Sequence, residues 1–395
     1  MFNIPIPALS YVLMGLAFAL IILSVIYGLK PICLAIRPGA IPSADVPDQA
    51  PKASVIIYTD NDSEKLEYLL DAMTREDYPD FEIIVVYDAP ADYARMLNER
   101  FSKTYGNVYV TFIPPGSHNI SRRKLAITSG VKASKGEIIV TTTGDVVLPN
   151  HHHWLSSLLA PFCGQNGRSI DVSLGLSQIK FADFKGWTRW YRQFDSILSD
   201  AQWIGYALMG KTYRGDGNNL AFRRSTFLDH KGYAKTINLH NGDDDLFINE
   251  ISTGANTAVV TNPESQLVTE WPQGANRVWS NRKEGYNFTA RWLPKQPFMR
   301  YWCQKFLQWL IPASIIAAFV IALPNLLMLI IGAALLIIFW GLEIFLYRRL
   351  ASRYNCVRLW WAVVPFWMFQ PIADIWFDLA HRETAKQNFT WLRKG

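Results

Sequence analysis

Cysteines are few and scattered in this chain of 395 residues. The four, Cys33, Cys163, Cys303 and Cys356, show no paired spacing, whereas zinc sites and disulfide frameworks use cysteines at short, recognisable intervals. The sequence therefore indicates neither a zinc site nor a disulfide scaffold. Unpaired thiols of this kind favour a reducing compartment.

Basic stripes are also missing. The formal net charge is +6, but no run of Lys and Arg has the interleaving that a reader of duplex nucleic acid needs. We therefore expect no nucleic-acid partner. The 15 Trp and 17 Tyr residues, in a chain that is 50% hydrophobic, suit a protein that lies against an anionic membrane surface and contacts its lipids.

The apolar residues are concentrated at the two ends of the chain, and no internal repeat is evident. Residues 9–29 carry no charge and are long enough to cross roughly 30 Å of hydrocarbon as a helix. A signal peptide would need a basic region before its apolar stretch, but Lys30 and Arg37 follow it. We predict an N-terminal transmembrane anchor at residues 1–37, with the next domain on the inner side.

The C-terminal part contains further segments directed to a membrane. Residues 293–309 combine aromatic and basic side chains, which predicts an amphipathic helix in the interface. Residues 310–347 are too long for one span, and Pro324 divides them into a transmembrane hairpin. Residues 348–395 are expected to be interfacial or re-entrant, because prolines and acidic residues interrupt the apolar stretch; a further span at 360–379 is the alternative.

The middle of the chain has a mixed composition. Residues 38–52 form a linker rich in Pro, Ala and Asp, and a domain follows at residues 53–292. Residues 54–58 and 81–87 are typical of strands, with a helical pattern at 63–73 between them. This alternation predicts βαβ units. The expected fold class is α/β, with a mostly parallel, Rossmann-like sheet and transmembrane helices on either side in the sequence.

Further along, the same patterns predict additional elements. We expect helices at residues 119–133 and 244–252, a strand that begins at Ile138, and strands at 172–179 and 219–223. The strand from Ile138 is continuously apolar and β-branched, as buried parallel strands are.

This strand ends at Gly144-Asp145, which makes Asp145 the first candidate functional residue. In open α/β sheets, ligands bind beyond the carboxyl ends of the strands. A carboxylate there can hold Mg²⁺ or Mn²⁺ together with phosphate oxygens. The structural alternative is a turn in which the aspartate caps backbone amides.

Three further acidic motifs are present: residues 58–62 with Asp60, residues 85–88 with Asp88, and residues 242–246 with the triplet Asp243 to Asp245. Asp60 and Asp88 each follow a predicted parallel strand, so they should meet Asp145 at one edge of the sheet. Crowding within the triplet should raise the pKa of at least one carboxylate. A helix N-terminus is the other interpretation of the triplet.

From about residue 54 to residue 286, this set of motifs resembles the membrane-bound family 2 glycosyltransferases with a GT-A fold, the group that includes cellulose and hyaluronan synthases. The resemblance implies an inverting enzyme of the hexosyltransferase type. It implies a nucleotide-sugar donor, with a UDP-sugar as first choice, and a lipid-linked or glycan acceptor. It also implies Mg²⁺ or Mn²⁺ as cofactor.

The resemblance assigns five residues to the donor. Asp60 and Asp88 would contact the uracil and ribose. Lys124, in Ser-Arg-Arg-Lys-Leu-Ala, would lie near the nucleotide and diphosphate, and Arg282 would face the diphosphate. Asn219, in Gly-Asn-Asn-Leu-Ala, would line the donor and acceptor pocket.

It also assigns the catalytic and metal-binding residues. Asp145 is similar to the second acid of the DxD metal motif. Asp243 and Asp244 match the Gly-Asp-Asp motif, whose final acid, Asp244, would be the general base. Transfer of a sugar from a diphosphate requires such a base, and a cation to neutralise the leaving group. Asp243 could cap a helix while Asp244 faces the pocket.

Two departures from the family pattern limit the kind of transfer that we expect. Thr143 replaces the first acid of DxD, and the Gln-x-x-Arg-Trp motif of processive synthases is absent from residues 279–292. We therefore expect transfer of one or a few sugars by an integral protein of the inner or plasma membrane, with its catalytic domain cytoplasmic. The alternative is a non-catalytic scaffold that binds nucleotide-sugars in a polysaccharide assembly complex.

Overall fold

The computed structural model describes residues 6–37, 50–59, 64–88, 90–113, 119–149, 152–164, 169–180, 186–270, 275–323, 325–382 and 389–390. The chain divides into two compact units. We call one the helical unit, comprising Met1–Arg37, Trp190–Gly205 and Pro294–Leu379. We call the other the α/β unit, comprising Pro38–Arg189, Tyr206–Leu293 and Ala380–Gly395.

The strands of the described residues all belong to the α/β unit. They are β1 (Ala53–Thr59), β2 (Phe81–Tyr87), β3 (Val108–Phe112), β4 (Ile138–Thr143), β5 (Val146–Val147), β6 (Val172–Leu174), β7 (Ser177–Lys180), β8 (Leu220–Arg223), β9 (Thr257–Val259) and β10 (Leu267–Glu270). Seven of them form one sheet in the order β3-β2-β1-β4-β8-β6-β9, and β5-β10-β7 form a second, small sheet.

The large sheet is mostly parallel, which confirms the predicted α/β class. Only β8 runs against its neighbours, β4 and β6. The helices of this unit are α3 (Glu64–Met73), α4 (Ala91–Thr104), α5 (Arg122–Ala133), α6 (Trp154–Leu159), α8 (Arg224–Asp229), α9 (Asp245–Ile251) and α10 (Ala275–Thr289). Buried aliphatic residues of β1, β2 and β4 form the core together with leucines of α3 and α6.

The three central strands end at the same level. In the parallel register Thr59 lies opposite Tyr87, and Tyr58 lies opposite Thr143. The residues that follow β1, β2 and β4 therefore start from one edge of the sheet, as the sequence predicts. This edge positions the site described below.

The single strand predicted at residues 172–179 is wrong. The structure has two short strands there, β6 in the large sheet and β7 in the small one. Between them, the Gly175 N–H donates to the Asn219 carbonyl oxygen (2.9 Å). A Cβ at Gly175 would lie 2.5 Å from the Asn219 side chain. The chain therefore bends around a buried asparagine, and the periodicity of a short apolar run carries no sign of that bend.

The helical unit contains α1 (Ile6–Leu23), α2 (Lys30–Ile36), the middle of α7 (Trp187–Leu208), α11 (Lys295–Ala322), α12 (Leu326–Arg353) and α13 (Val363–Ala380). Among the residues that the structure describes, three stretches are long and apolar enough to cross a membrane: Ala8–Ile26, Lys295–Ile321 and Leu326–Arg353. A single helix, α11, thus covers both the predicted interfacial helix and the first arm of the predicted hairpin. The Asn325 side chain accepts from the N–H groups at the start of α12.

Helix α13 is not among the candidate spans. It contacts the polar first half of α11 through Asp374, whose Oδ2 accepts from the Tyr301 hydroxyl (3.0 Å) and lies 3.3 Å from the Lys305 ammonium. The Lys305 and Asp374 side chains are almost fully buried. A buried carboxylate needs such partners, since an uncompensated charge would be expelled from a dry interior.

The bend at Gly175 yields a test of the fold. The substitution Gly175→Ala inserts a methyl group against buried Asn219 and should destabilise the protein by roughly 1–3 kcal/mol. Gly106→Ala is the matched control, because a Cβ at Gly106 meets nothing within 4 Å. Thermal unfolding of the detergent-purified protein, followed by tryptophan fluorescence, should show a lower melting temperature for Gly175→Ala alone. Equal melting temperatures would contradict the proposed cause of the bend.

Candidate active site

Asp88 directly follows β2, and its N–H donates to the Thr59 carbonyl oxygen at the end of β1 (2.9 Å). Its carboxylate forms a two-point ion pair with Arg122, in which Nε donates to Oδ2 at 3.0 Å and Nη2 contacts Oδ1. The Tyr58 hydroxyl donates to the same Oδ2 (3.3 Å). No motif in the sequence points to Arg122 as a partner of Asp88. The predicted Asp60 lies outside the described residues.

Asp145 follows β4 at the same edge. Thr143, which stands where the first acid of the metal motif was expected, donates its hydroxyl to Asp145 Oδ1. These oxygen ligands are the kind that Mg²⁺ and Mn²⁺ prefer. Within the described part of the chain, no three His, Cys, Asp or Glu side chains are grouped so that they could hold a metal ion. The donor set fits a cation that takes its other ligands from phosphate oxygens and water, as Mg²⁺ commonly does.

A cavity of about 240 Å³ brings several parts of the α/β unit together. Of the predicted site residues, Asp145, Asp243, Asp244 and Arg282 line it. Asp88, Lys124 and Asn219 are not part of the lining. The other lining residues are Arg123, Thr143, Asp216, Gly217, Asn218, Asn241, Gly242, Asp245, Val278, Asn281, Gly285 and Tyr286.

Each carboxylate of the triplet has a different partner. Asp243 pairs with Arg123, whose Nε lies 2.8 Å from Oδ2. Asp244 caps α9, since its Oδ1 accepts from the Asp245 N–H (2.9 Å), and its Oδ2 accepts a longer bond from the Gly217 N–H (3.4 Å). Asp245 accepts from the Thr289 hydroxyl. The expectation that Asp243 is the cap is therefore wrong, because its side chain turns to the arginine.

Asp244 has the most perturbed environment of the three. Burial raises the pKa of its carboxyl far above the usual range, and the neighbouring charges of Asp243 and Asp245 raise it further. The Arg123 guanidinium opposes this effect but does not cancel it. A carboxyl group whose pKa is raised in this way accepts a proton readily near neutral pH, which is the property required of a general base.

Two glycines let the backbone approach these side chains. A Cβ at Gly217 would lie 2.8 Å from Arg123 Nη2 and 3.0 Å from Asp243 Oδ2. Gly242 has a φ of +97°, a conformation that favours glycine, and a Cβ there would lie 2.6 Å from Leu246. The glycines before Asn218 and before the triplet are therefore required by space and by backbone conformation.

Lys124 occupies a different place from the one predicted. Its side chain is 0% exposed, and Nζ donates to the carbonyl oxygens of Thr236 (2.7 Å), Leu239 (3.1 Å) and Asn241 (2.8 Å). Burial lowers the pKa of Lys124 to about 8, so at neutral pH the ammonium keeps the three protons that these acceptors need. Lys124 holds the loop Thr236–Asn241 and does not line the cavity, so the expectation that it lies near the nucleotide and diphosphate is corrected to a role in holding this loop.

Ser121 holds the same loop. Its N–H donates to the Ile237 carbonyl oxygen (2.7 Å), and its hydroxyl donates to that of His240 (3.1 Å). Ser121 also caps α5. The start of α5 thus anchors the loop that leads, through Gly242, into the aspartate triplet.

Asn219 is likewise part of the scaffold. It is 0% exposed, and Nδ2 donates to the carbonyl oxygens of Leu176 (2.9 Å) and Ser265 (2.7 Å), while Oδ1 accepts from Trp154 Nε1 (3.1 Å). The neighbouring Asn218 lines the cavity instead. The prediction that Asn219 lines the pocket is therefore wrong, and its neighbour Asn218 has that place. A motif alone does not show which of two adjacent asparagines faces a cavity.

Arg282 of α10 lines the cavity, and its guanidinium is held in place by Ser177. Nη1 donates to the Ser177 carbonyl oxygen (3.3 Å) and Nη2 to its hydroxyl (3.2 Å). Asp216 lies 3.7 Å from Nη2 and accepts from the Ser177 N–H and hydroxyl, both at 2.8 Å. Asp216 is not among the predicted site residues, although it directly precedes Gly217 of the Gly-Asn-Asn motif.

Arg123 is a further cavity residue that is not among the predicted site residues. It lies between Asp243 and Asn218, whose Oδ1 accepts from Nη2 at 3.0 Å. The motif Ser-Arg-Arg-Lys drew attention to this stretch, but only the helical geometry of α5 separates Arg123, which lines the cavity, from the neighbouring basic residues.

The lining is strongly acidic. It carries five carboxyl groups and two guanidinium groups: Asp145, Asp216, Asp243, Asp244 and Asp245, against Arg123 and Arg282. An anionic ligand such as a diphosphate would be repelled unless further positive charge enters with it. A divalent cation that enters with the ligand is a source of positive charge consistent with this site.

Residues 54–215 match the model of glycosyl transferase family 2. No curated protein matches the sequence significantly. Among solved structures, the mannosyltransferase PcManGT from Pyrobaculum calidifontis, in complex with GDP-Man and Mn²⁺, aligns with a TM-score of 0.50 and 18% identity over 94% of this chain and 99% of that chain.

Two other solved structures align less well. Glucosyl-3-phosphoglycerate synthase from Mycobacterium tuberculosis, in complex with Mn²⁺, UDP and glucosyl-3-phosphoglycerate, has a TM-score of 0.37 and 16% identity over 57% of this chain and 75% of that chain. S. aureus TarS 1-349, in complex with UDP-GlcNAc, has a TM-score of 0.38 and 16% identity over 85% and 92%.

The matched residues 54–215 include β1, β2 and β4 together with Asp88, Asp145 and Arg123. They thus include the central strands of the mostly parallel sheet and one side of the cavity. Residues 54–215 therefore match the glycosyl transferase family 2 model, and the likeness to the solved structure of PcManGT supports a GT-A fold for this domain.

Proposed function

We propose that this protein is a membrane-bound, inverting glycosyltransferase that uses Asp244 as its general base. The observation that carries the proposal is the buried carboxyl of Asp244, with its raised pKa, in the same cavity as Asp145. The donor is a nucleoside-diphosphate sugar, with a UDP-sugar as first choice. The acceptor is lipid-linked or a polysaccharide, at the cytoplasmic face.

In this mechanism, Asp244 accepts the proton of the acceptor hydroxyl as that oxygen attacks the anomeric carbon. The bond between the anomeric carbon and the diphosphate oxygen breaks on the opposite face, so one displacement inverts the configuration. The Asp245 and Gly217 N–H groups orient the Asp244 carboxylate. Asp243 acts on the base indirectly, because its charge raises the pKa of Asp244 and because it holds Arg123.

The diphosphate is assigned to the cationic side of the cavity. Arg123 and Arg282 present guanidinium groups that suit phosphate oxygens. Asp145, together with the Thr143 hydroxyl, is assigned to Mg²⁺ or Mn²⁺, which would neutralise the leaving group when bound. Asp88 and Asp60 are assigned to the ribose and the base of the nucleotide, as in the family pattern, and the ion pair with Arg122 holds the Asp88 carboxylate in place.

Membrane attachment is proposed from the three candidate spans. Arg348, Arg349 and Arg353 follow the apolar part of α12, and Lys30 and Arg37 follow the first span. Positive charges at these ends favour the inner side for both. An acceptor carried by the membrane would be available to an enzyme anchored in this way.

A second candidate function is a non-catalytic nucleotide-sugar-binding scaffold. The observation in its favour is Thr143, which leaves Asp145 as the one carboxylate that this loop can offer to a metal. The cluster around Asp244 argues against this alternative, because a scaffold has no need of a carboxyl with a raised pKa. Turnover distinguishes the two functions.

The Asp244→Asn variant tests the base. It should fold and bind the donor within about twofold of the wild type, while transfer and donor hydrolysis fall on the order of 10²–10⁴-fold. The assay is nucleotide release from a panel of UDP- and GDP-sugars by detergent-purified protein, with membrane lipid extract as acceptor. Asp80→Asn, which changes an exposed carboxylate paired with Lys52, is the matched control. Full activity of Asp244→Asn would rule out the assigned base.

Metal titration tests Asp145. Nucleotide release should disappear in EDTA and return with Mn²⁺ or Mg²⁺. In Asp145→Asn, the Mn²⁺ concentration for half-maximal activity should rise by about tenfold or more, because one charged ligand is lost. Thr143→Asp restores a pair of carboxylates and should lower that concentration. An unchanged metal dependence in both variants would disprove the assignment.

The pH dependence tests the coupling between Asp243 and Asp244. The base must be deprotonated, so kcat should rise with pH through the raised pKa of Asp244. Asp243→Asn removes a neighbouring negative charge and releases Arg123, and both changes lower that pKa. The rising limb of kcat, measured at saturating donor and metal, should therefore move toward lower pH by on the order of one unit. A limb that stays in place or moves upward contradicts the coupling.

A further inference from the structure

Two residues near the C-terminus of the sequence, Phe389 and Thr390, contact the loop Thr236–Asn241 within the α/β unit. Phe389 forms an antiparallel bridge with Leu239. The Thr390 N–H donates to the Asn238 carbonyl oxygen (3.0 Å). The Thr390 side chain is 4% exposed, so these contacts lie in the interior. We call Phe389 and Thr390 the strap.

The Thr390 hydroxyl adds a second attachment. It lies 2.6 Å from the Asn119 carbonyl oxygen and 3.0 Å from that of Asn238, and its single proton goes to one of them at a time. Asn119 precedes Ser121, the residue that caps α5. The strap therefore joins the loop to the start of α5.

The Phe389 ring reaches a third element. It packs edge-on against Phe288 (5.3 Å between centroids) and Trp292 (6.4 Å). Phe288 is 2% exposed and lies near the end of α10. This is the helix that carries Arg282 to the cavity. The strap thus contacts both the loop before the aspartate triplet and the helix on which a cavity arginine lies.

With the strap included, every carbonyl oxygen of the loop has a donor from outside the loop. Ser121 donates to those of residues 237 and 240, Lys124 to those of 236, 239 and 241, and Thr390 to that of 238. Loss of the Thr390 hydroxyl leaves the Asn238 carbonyl oxygen with the Thr390 N–H alone and removes a donor from the Asn119 carbonyl oxygen, which loosens the attachment of the loop to the start of α5. Gly242 and the triplet follow directly.

We propose that Phe389 and Thr390 are positioning residues that hold Asp244 in its reactive place through the loop Thr236–Asn241. Neither residue lines the cavity, so they act without touching the substrate. The inference rests on the proposed role of Asp244, since a general base loses much of its effect when it is displaced by a fraction of an ångström. The effect of the strap on the loop, however, can be measured without any turnover.

Hydrogen exchange of the full-length protein in detergent tests the loop component. Amides in peptides covering residues 236–245 should exchange faster in Thr390→Val and in Phe389→Ala than in the wild type. Thr390→Ser keeps the hydroxyl and should match the wild type. Thr104→Val, which removes a hydroxyl bonded to the Arg100 carbonyl oxygen in α4, is the matched control and should leave these peptides unchanged. Unchanged exchange in both strap variants, or equally faster exchange throughout the α/β unit, would overturn the proposal.

Kinetics test the catalytic component. In Thr390→Val and Phe389→Ala, kcat should fall on the order of tenfold while the donor KM stays within about twofold; Thr390→Ser should keep the wild-type kcat. An unchanged kcat together with faster loop exchange would overturn the link to catalysis. A wild type without turnover on any donor would instead count against the proposed function, and the exchange result would still report on the strap.

A disulfide provides a test that remains informative if the single variants fold poorly. The hydrogen bond from Thr390 to Asn238 makes Leu239 and Phe389 a non-hydrogen-bonded antiparallel pair, with Cα atoms about 4.5 Å apart, a separation that a disulfide can bridge. The double variant Leu239→Cys/Phe389→Cys is made in a background without the four native cysteines. Its oxidised form should show slower amide hydrogen exchange at residues 236–245 than its reduced form. The oxidised form should also have the higher kcat. Equal exchange in the two states would overturn the proposal.

Discussion

The loop Thr236–Asn241 is held through its carbonyl oxygens, and the geometry of the site depends on this restraint. Three adjacent carboxylates repel one another and would separate if the chain before them could move. Ser121, Lys124 and Thr390 remove that freedom by donating hydrogen bonds to six successive carbonyl oxygens. Arg123 then neutralises Asp243. The raised pKa of Asp244 follows first from burial and then from the neighbouring charges of Asp243 and Asp245, and the fold maintains both.

The charge of the cavity connects base, metal and leaving group. Five carboxyl groups face two guanidinium groups, so a diphosphate can enter with a divalent cation far more readily than alone. Thr143 in place of an acid lowers this negative charge by one and leaves Asp145 as the carboxylate of the metal loop. In the proposed mechanism, a cation at Asp145 would take its other ligands from the substrate and water, which would tie cation binding to donor binding.

Particular residues show how much of the site can be predicted from the sequence. Asp145, Asp244 and Arg282 were selected from motifs and line one cavity, whereas Lys124 and Asn219 were selected from equally good motifs and are buried in the scaffold. A motif names residue types in an order. It does not state which of several adjacent polar side chains faces the ligand. Arg123 next to Lys124, and Asn218 next to Asn219, differ only in the direction that packing imposes.

The sequence by itself determined the α/β class, most of the central elements, and the segments long and apolar enough to span a membrane. These properties arise from local periodicity and length, and β2 was found at its predicted bounds, Phe81–Tyr87. Only the tertiary structure decided that Lys124 supports a loop 112 positions away, and that residues near the C-terminus contact the same loop. Such roles depend on contacts between distant parts of the chain, and no local pattern encodes them.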